Sequence, residues 1–153
     1  MRRLNIGCGR DIRDGYINVD AFPISDKVQK GNLLDIPFPD ETFDEIIALD
    51  VVEHVSWRQV PNALAEICRV LKKTGAAEIR VPELDALLDL RRAGRMTDAE
   101  YVRRIFGDQG HPGDFHATGF TEKTFIDQIK GAGLKVSKTW TKNGNRIALV
   151  CRR

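Results

Sequence analysis

A chain of 153 residues, 42% of them apolar and 30% charged, has room for one core that buries roughly 70% of its unfolded surface, and is short for two domains. Its 24 basic and 22 acidic residues leave a net charge of +2, which supplies no general attraction to nucleic acid or to an anionic membrane. Three widely spaced cysteines, Cys8, Cys68 and Cys151, make neither a CxxC pair nor a zinc-ligand array and are read as reduced, mostly buried thiols. With no apolar run of signal-peptide or membrane-span length, a cytoplasmic protein folding as a single domain over 1–153 is expected.

Short apolar runs alternate with amphipathic ones, which predicts an α/β fold. Strands are expected at Arg3–Ile6, Tyr16–Val19, Val28–Gly31, Glu45–Leu49, Ala77–Val81, Lys135–Thr141 and Arg146–Cys151. The first five lack strict polar alternation, as strands covered on both faces do. Between Ser56 and Lys73, Val60, Leu64, Ile67, Val70 and Leu71 recur at helical spacing, with Ser56 as N-cap and Gly75 after the last turn. Further helices are expected over Glu83–Ala93, Asp98–Phe106 and Thr121–Lys130, the last capped by Thr121 or Thr124 and ended by Gly131 and Gly133. Asn143-Gly144-Asn145 predicts a tight turn, so the chain should close with an antiparallel pair.

The chemistry concentrates where early strands end. Gly7-Cys8-Gly9 follows the first strand and lets a ligand approach the backbone closely, although a plain tight turn explains Gly-x-Gly equally well. A dinucleotide fingerprint would place a third glycine where Ile12 stands. Asp20 closes the second strand, where a carboxylate can accept from vicinal ribose hydroxyls or cap a turn. Gly31 to Asp44, with its Ile36-Pro37-Phe38-Pro39-Asp40 core, and then Asp50-Val51-Val52-Glu53-His54 complete the set.

The order of these motifs, with Glu66-Ile67-Cys68-Arg69-Val70-Leu71, His116 to Phe120 and Ala132-Gly133-Leu134, resembles small type 11-like class I S-adenosylmethionine-dependent methyltransferases. The resemblance implies a Rossmann-like, seven-stranded, mostly parallel sheet with helices on both faces and a C-terminal antiparallel hairpin. It implies S-adenosylmethionine as methyl donor. Asn5, Gly7, Cys8 and Gly9 would line its methionine and ribose portion, Asp20 would hold the ribose hydroxyls, Asn32 and Leu33 would read adenine, and Leu49 and Asp50 would face the methionine group. Asn5 stands where an acid is usual, and Asn32 where an Asp often meets adenine. Only six residues separate Gly9 from Tyr16, so the first crossover helix must be reduced. With the first strand expected at the very start, the family's usual N-terminal cap helices are not expected and the pocket should be open, to be covered by a second copy of the chain in a homodimer or by the substrate.

Transfer from a sulfonium needs alignment above all, and a base only where the acceptor is protonated. His116 is the first candidate for that base, then His54, with Asp50 as a further one. Asp50-x-x-Glu53-His54 with a distant histidine also resembles, in part, the metal-binding set of small-RNA 3′-terminal 2′-O-methyltransferases. Glu-His occurs widely at this point without a metal, so none is expected. The acceptor is expected to be a small molecule. An RNA or protein acceptor read by Arg91, Arg92, Arg95, Arg103 and Arg104 is one alternative, and a catalytically silent S-adenosylmethionine-binding regulatory subunit is another.

Overall fold

The structure, a computed structural model, describes residues 1–152. In chain order it contains β1 (Arg3–Ile6), β2 (Ile17–Asp20), β3 (Val28–Lys30), β4 (Phe43–Leu49), a single 3-10 turn (Val52–His54), α1 (Val60–Val70), β5 (Leu71–Pro82), α2 (Leu84–Arg92), α3 (Asp98–Phe106), α4 (Glu122–Gly131), β6 (Leu134–Lys142) and β7 (Asn145–Arg152). The seven strands form one sheet in the order β3-β2-β1-β4-β5-β7-β6. Strands β1 to β5 pair in parallel, and β7 runs antiparallel to both β5 and β6, giving the mostly parallel sheet with a terminal hairpin. No helix among the described residues is long and apolar enough to cross a membrane.

Register divides the sheet into two unlike faces. Leu4, Ile46, Ala77, Val150 and Val136 make one row across five strands and belong to the apolar core with α1 and α4. Each Leu, Ile or Val side chain fully removed from water contributes about 1.5–3 kcal/mol before entropy is counted. The next row, Asn18, Asn5, Ile47, Glu78, Leu149 and Lys138, lies on the opposite face. Burial along β5 alternates accordingly: Ala77, Ile79 and Val81 are buried, whereas Ala76 is exposed and Glu78 and Arg80 are half-buried. The five parallel strands are therefore covered unequally. The reason lies in the connections: residues 7–16 between β1 and β2, and 21–27 between β2 and β3, hold no helix, as the short spacing after Gly9 requires.

Two expectations shift at α1. The helix starts at Val60, with Pro61 in its first turn, and Gln59 rather than Ser56 holds the N-cap position without a side-chain hydrogen bond. It ends at Val70, because Leu71 is extended, fully buried and paired with Phe43. Gly75 accordingly falls inside β5, where a Cβ would come within 2.9 Å of the Asp44 carbonyl oxygen. The helix at Asp98–Phe106 forms as expected, and Thr97 with Glu100 supplies it with a reciprocal capping box. Asn143 and Gly144, at φ 51° and 79°, make the tight turn between β6 and β7.

Candidate functional site

The strand order reverses between β1 and β4, and a crevice opens at the carboxyl ends of the strands beside that switch point, where open α/β sheets take ligands. Its cavity of about 640 Å³ has the size of a small-molecule site. Gly7, at φ 68°, turns the chain out of β1 with its N–H on the Val19 carbonyl, 2.8 Å away. A Cβ there would lie 2.1 Å from Val51, so glycine is obligatory. At Gly9, φ 49°, no atom lies within 4 Å of where a Cβ would stand, and the residue lines the cavity.

The Gly9 N–H donates to Asp20 Oδ2 at 2.8 Å and the Phe22 N–H to Asp20 Oδ1 at 2.8 Å. These two bonds fix the Asp20 carboxylate on the cavity wall, each oxygen keeping a lone pair for a further donor. Beyond it, Asn32 and Leu33 also line the wall. Asn32 Oδ1 accepts the Leu34 N–H at 2.9 Å in an Asx turn, so its amide is already oriented by its own loop.

Asp50 follows β4 in a left-handed conformation, φ 53°, that costs energy for any residue but glycine and is concentrated at functional sites. Its carboxylate forms a bidentate ion pair with Arg80, and that pairing is what raises the Arg80 pKa most. Asp50 borders both the main cavity and a second one of about 260 Å³ lined by Glu53, Arg104 and His116.

The 3-10 turn meets a segment sixty residues away. Ala117 and Thr118 donate their N–H groups to the Glu53 carbonyl at 2.8 and 3.0 Å, and the Thr118 hydroxyl donates to the Val55 carbonyl at 2.6 Å. His54 Nδ1 sits 3.1 Å from the Phe115 carbonyl, and the His54 and His116 rings meet edge to face with centroids 4.9 Å apart. Burial, then His54, lowers the His116 pKa, so that ring is neutral at pH 7. Glu53 is 1% exposed and its carboxyl pKa lies well above the ordinary range, first through burial and then through Asp50.

Of the sequence candidates, Gly7, Gly9, Asp20, Asn32, Leu33, Asp50 and His54 share the main cavity, and His116 lines the second. Asn5, Cys8 and Leu49 do not line either. Asn5 is 2% exposed and spends its amide hydrogens on the Asp11 carbonyl and Asn18 Oδ1, at 2.6 and 2.9 Å, bracing the loop that carries the glycines. Burial and then Asp20 push the Cys8 thiol up to about 11, which makes it unreactive. Half-buried Leu49 ends β4 immediately before Asp50.

Sequence reasoning missed Phe22 and Ile24, which line the cavity while 53% and 58% exposed. Two large apolar residues in the short loop just after Asp20 were the available signal. The loop from Gly107 to Asp114 reaches the same cavity, and His111 meets Phe22 with ring centroids 5.3 Å apart.

Residues 8–79 match the family model described as a methyltransferase domain. Over 98 residues, 56% of this chain and 42% of the relative, the chain is 31% identical to an uncharacterized protein of Methanocaldococcus jannaschii. Over 74 residues, 44% of this chain and 29% of the relative, it is 39% identical to a demethylmenaquinone methyltransferase of Symbiobacterium thermophilum. The chain thus spans less than half the length of these curated relatives. In fold it is similar to a Thermotoga maritima structure described as an S-adenosylmethionine-dependent methyltransferase and possible histamine N-methyltransferase, with a TM-score of 0.69, 18% identity, and coverage of 99% of this chain and 82% of that one.

Proposed function

We propose that this chain is a small class I S-adenosylmethionine-dependent methyltransferase domain that transfers a methyl group from S-adenosylmethionine to a small-molecule acceptor. The observation that carries the reading is Asp20: a carboxylate at the end of β2, clamped by the Gly9 and Phe22 N–H groups on the wall of the switch-point cavity, with lone pairs left for a diol. The lining fits the donor. Two carboxylates, Asp20 and Asp50, suit a ribose and a cationic sulfur, Ile6, Leu33, Phe22 and Ile24 suit a flat base, and Arg10 is the lone arginine or lysine among the lining residues.

When bound, the donor supplies a methyl group already activated by its positive sulfur. In this reading Gly7 and Gly9 bring the backbone against its methionine and ribose portion. Asp20 accepts from the ribose hydroxyls, and Asn32 with the Leu33 backbone meets adenine, the Asn32 oxygen through its second lone pair. Asn5 and Cys8 act from beneath, by holding the loop, and Leu49 places Asp50 at the methionine end. Phe22, Ile24 and the 107–114 loop exclude water from the cavity, a cover drawn from the chain itself.

The acceptor end holds the candidate bases His116, His54 and Asp50, of which Asp50 is weakest because Arg80 already claims its charge. Against RNA, two of the five charges of the arginine-rich stretch are already neutralised, Arg91 by Asp98 and Arg103 by Asp108, which weakens its attraction to phosphates.

Calorimetry and thermal unfolding with S-adenosylmethionine, S-adenosylhomocysteine and NAD test this directly. Donor and demethylated product at 100 times their dissociation constants should each stabilise the fold by about 2.7 kcal/mol, NAD should do nothing, and Asp20→Ala should abolish most of the shift. Absence of heat with both adenosyl ligands overturns the reading. Binding without turnover over a broad acceptor panel would instead identify a regulatory subunit that uses the donor as a ligand.

A further inference from the structure

We infer that α3 is the docking face for a second copy of this chain, and that two molecules pair through it antiparallel about a two-fold axis beside Val102. The helix is fully formed and capped by Thr97 and Glu100, yet none of its nine residues is buried. A helix in a folded domain ordinarily hides an apolar stripe. Here the stripe faces water: Ala99, Val102, Arg103 and Phe106, which share one side of the helix, are all exposed, Val102 at 53% and Phe106 at 55%. A hollow of about 550 Å³ is lined by these same residues. The opposite side is already in use, since Tyr101, Arg104 and Ile105 are half-buried, Arg91 stacks on the Tyr101 ring and Arg104 reaches Asn145.

The charges on the exposed side say what covers it. An acid, Asp98, stands at its start and a base, Arg103, toward its end. Such a pattern is complementary to itself reversed, and a two-fold axis asks for that, because one patch serves both molecules. Antiparallel helices also set their dipoles head to tail. A partner of uniform charge would be repelled at one end. Both groups keep capacity for a second partner: Asp98 is 80% exposed beside Arg91, and Arg103 is 58% exposed beside Asp108. Pairs as open to water as these hold their side chains weakly.

With the axis between Val102 and Arg103, Phe106 of each copy lies over the small Ala99 of the other, a knob set into a hole. Asp98 then falls about 6 Å along the axis from Arg103 of the other copy, within an arginine's reach. A helix of nine residues is only about 13 Å long, so the contact is of the small, transient class and the dimer fills with rising concentration.

Pairing extends to the acceptor end. Arg103, Gly107 and Asp108 line both the hollow and the second cavity. The Phe106 carbonyl accepts the His116 N–H and the Arg104 carbonyl faces His116 Nδ1, each at 3.1 Å. A molecule seated on Phe106 therefore narrows the way into the second cavity and steadies the turn that holds His116. The expected homodimer thus meets beside the second cavity rather than over the main one. Only this consequence rests on the methyl-donor reading; the pairing stands without it.

Sedimentation velocity and light scattering on the full chain, from micromolar to millimolar concentration, test the pairing with no ligand present. We expect a monomer–dimer equilibrium whose dissociation constant rises roughly 30-fold in Phe106→Ser and in Val102→Ser. Neither should lower the monomer's melting temperature, since neither side chain is buried in it. Trp57→Ser, which removes a 60% exposed ring before α1, should dimerise as the parent does. Asp98→Arg or Arg103→Asp alone should weaken the dimer about 5-fold, and the two together should recover most of that loss, because the reversed charges again meet across the axis. A parent that stays monomeric, a dimer indifferent to Phe106→Ser or broken by Trp57→Ser, or a double charge reversal no better than its singles overturns the inference. Failure of the adenosyl ligands to bind overturns the methyl-donor reading and leaves the pairing in place.

Discussion

Three connections in this molecule join parallel strands without the usual helix, and two of them solve the problem of their unpaired backbone differently. Residues 7–16 between β1 and β2 are held by neutral amides: Asn5 donates to the Asp11 carbonyl and to Asn18, and Asn18 bonds the Arg13 N–H and carbonyl. Residues 31–42 between β3 and β4 are held by a charge: Arg69, from α1, donates to the Ile36 and Phe38 carbonyls, to Asp40 and to Glu66, and Glu66 accepts the Ile36 N–H. The second loop also tucks Leu33 and Ile36 into the core. The first stays outside it and lends its glycines to the cavity. A loop can therefore replace a crossover helix provided buried side chains take over its hydrogen bonds, and the choice of neutral or charged clamps decides how the loop answers to pH.

Breaking the charged clamp should have the largest effect. Arg69→Ala leaves two loop carbonyls and two carboxylates without their arginine, and should cost about 3 kcal/mol in urea unfolding, discounted from a fully buried pair because the arginine is 30% exposed. Asn5→Ala should cost less, about 1–2 kcal/mol, yet weaken S-adenosylmethionine binding severalfold by loosening the loop that carries Gly7 and Gly9, which Arg69→Ala should do far less. A loss of donor affinity in Arg69→Ala equal to that in Asn5→Ala would erase the distinction between the loops.

The smallest effect is the most diagnostic. Arg69, then the Ile36 N–H, lowers the Glu66 pKa below its ordinary 4.5, so Glu66 adds stability that is complete above that value and drains away as pH falls through the lower folded value. Glu66→Gln should cost about 1 kcal/mol at pH 7 and less at pH 3. The Asn5→Ala deficit should be the same at both, since no group of that clamp titrates.

Much of the frame was legible because it is local. Arg3–Ile6 and the hairpin at Asn143-Gly144 follow from residue type and turn chemistry, and the Thr121 cap from its position. Thr97-x-x-Glu100 was equally readable as a capping box and went unread. The start of α1 was not, since Ser56 looks like a cap and only the packing of Val60 shows otherwise. At the candidate site the glycines and Asp20 stand out, as they must follow strands to be useful. Asn5 looks like a ligand residue in sequence, and only its burial and its bond to Asn18 show it to be a brace. The burial of Glu53 depends on what the segment at Ala117 and Thr118 does in space, which no spacing encodes.

The sheet ends at β3 on one side and β6 on the other, and these margins are unlike. β3 offers a neighbouring chain only three residues, roughly 10 Å of backbone. β6 is long, but Lys135, Lys138 and Lys142 project from it and its register breaks between Val136 and Lys138. Positive charge and an interrupted ladder are how proteins discourage unwanted strand addition. Two molecules that collide border to border therefore find little to zip together, and a chain with one sheet face only partly covered is protected from fibrillar growth at its rims.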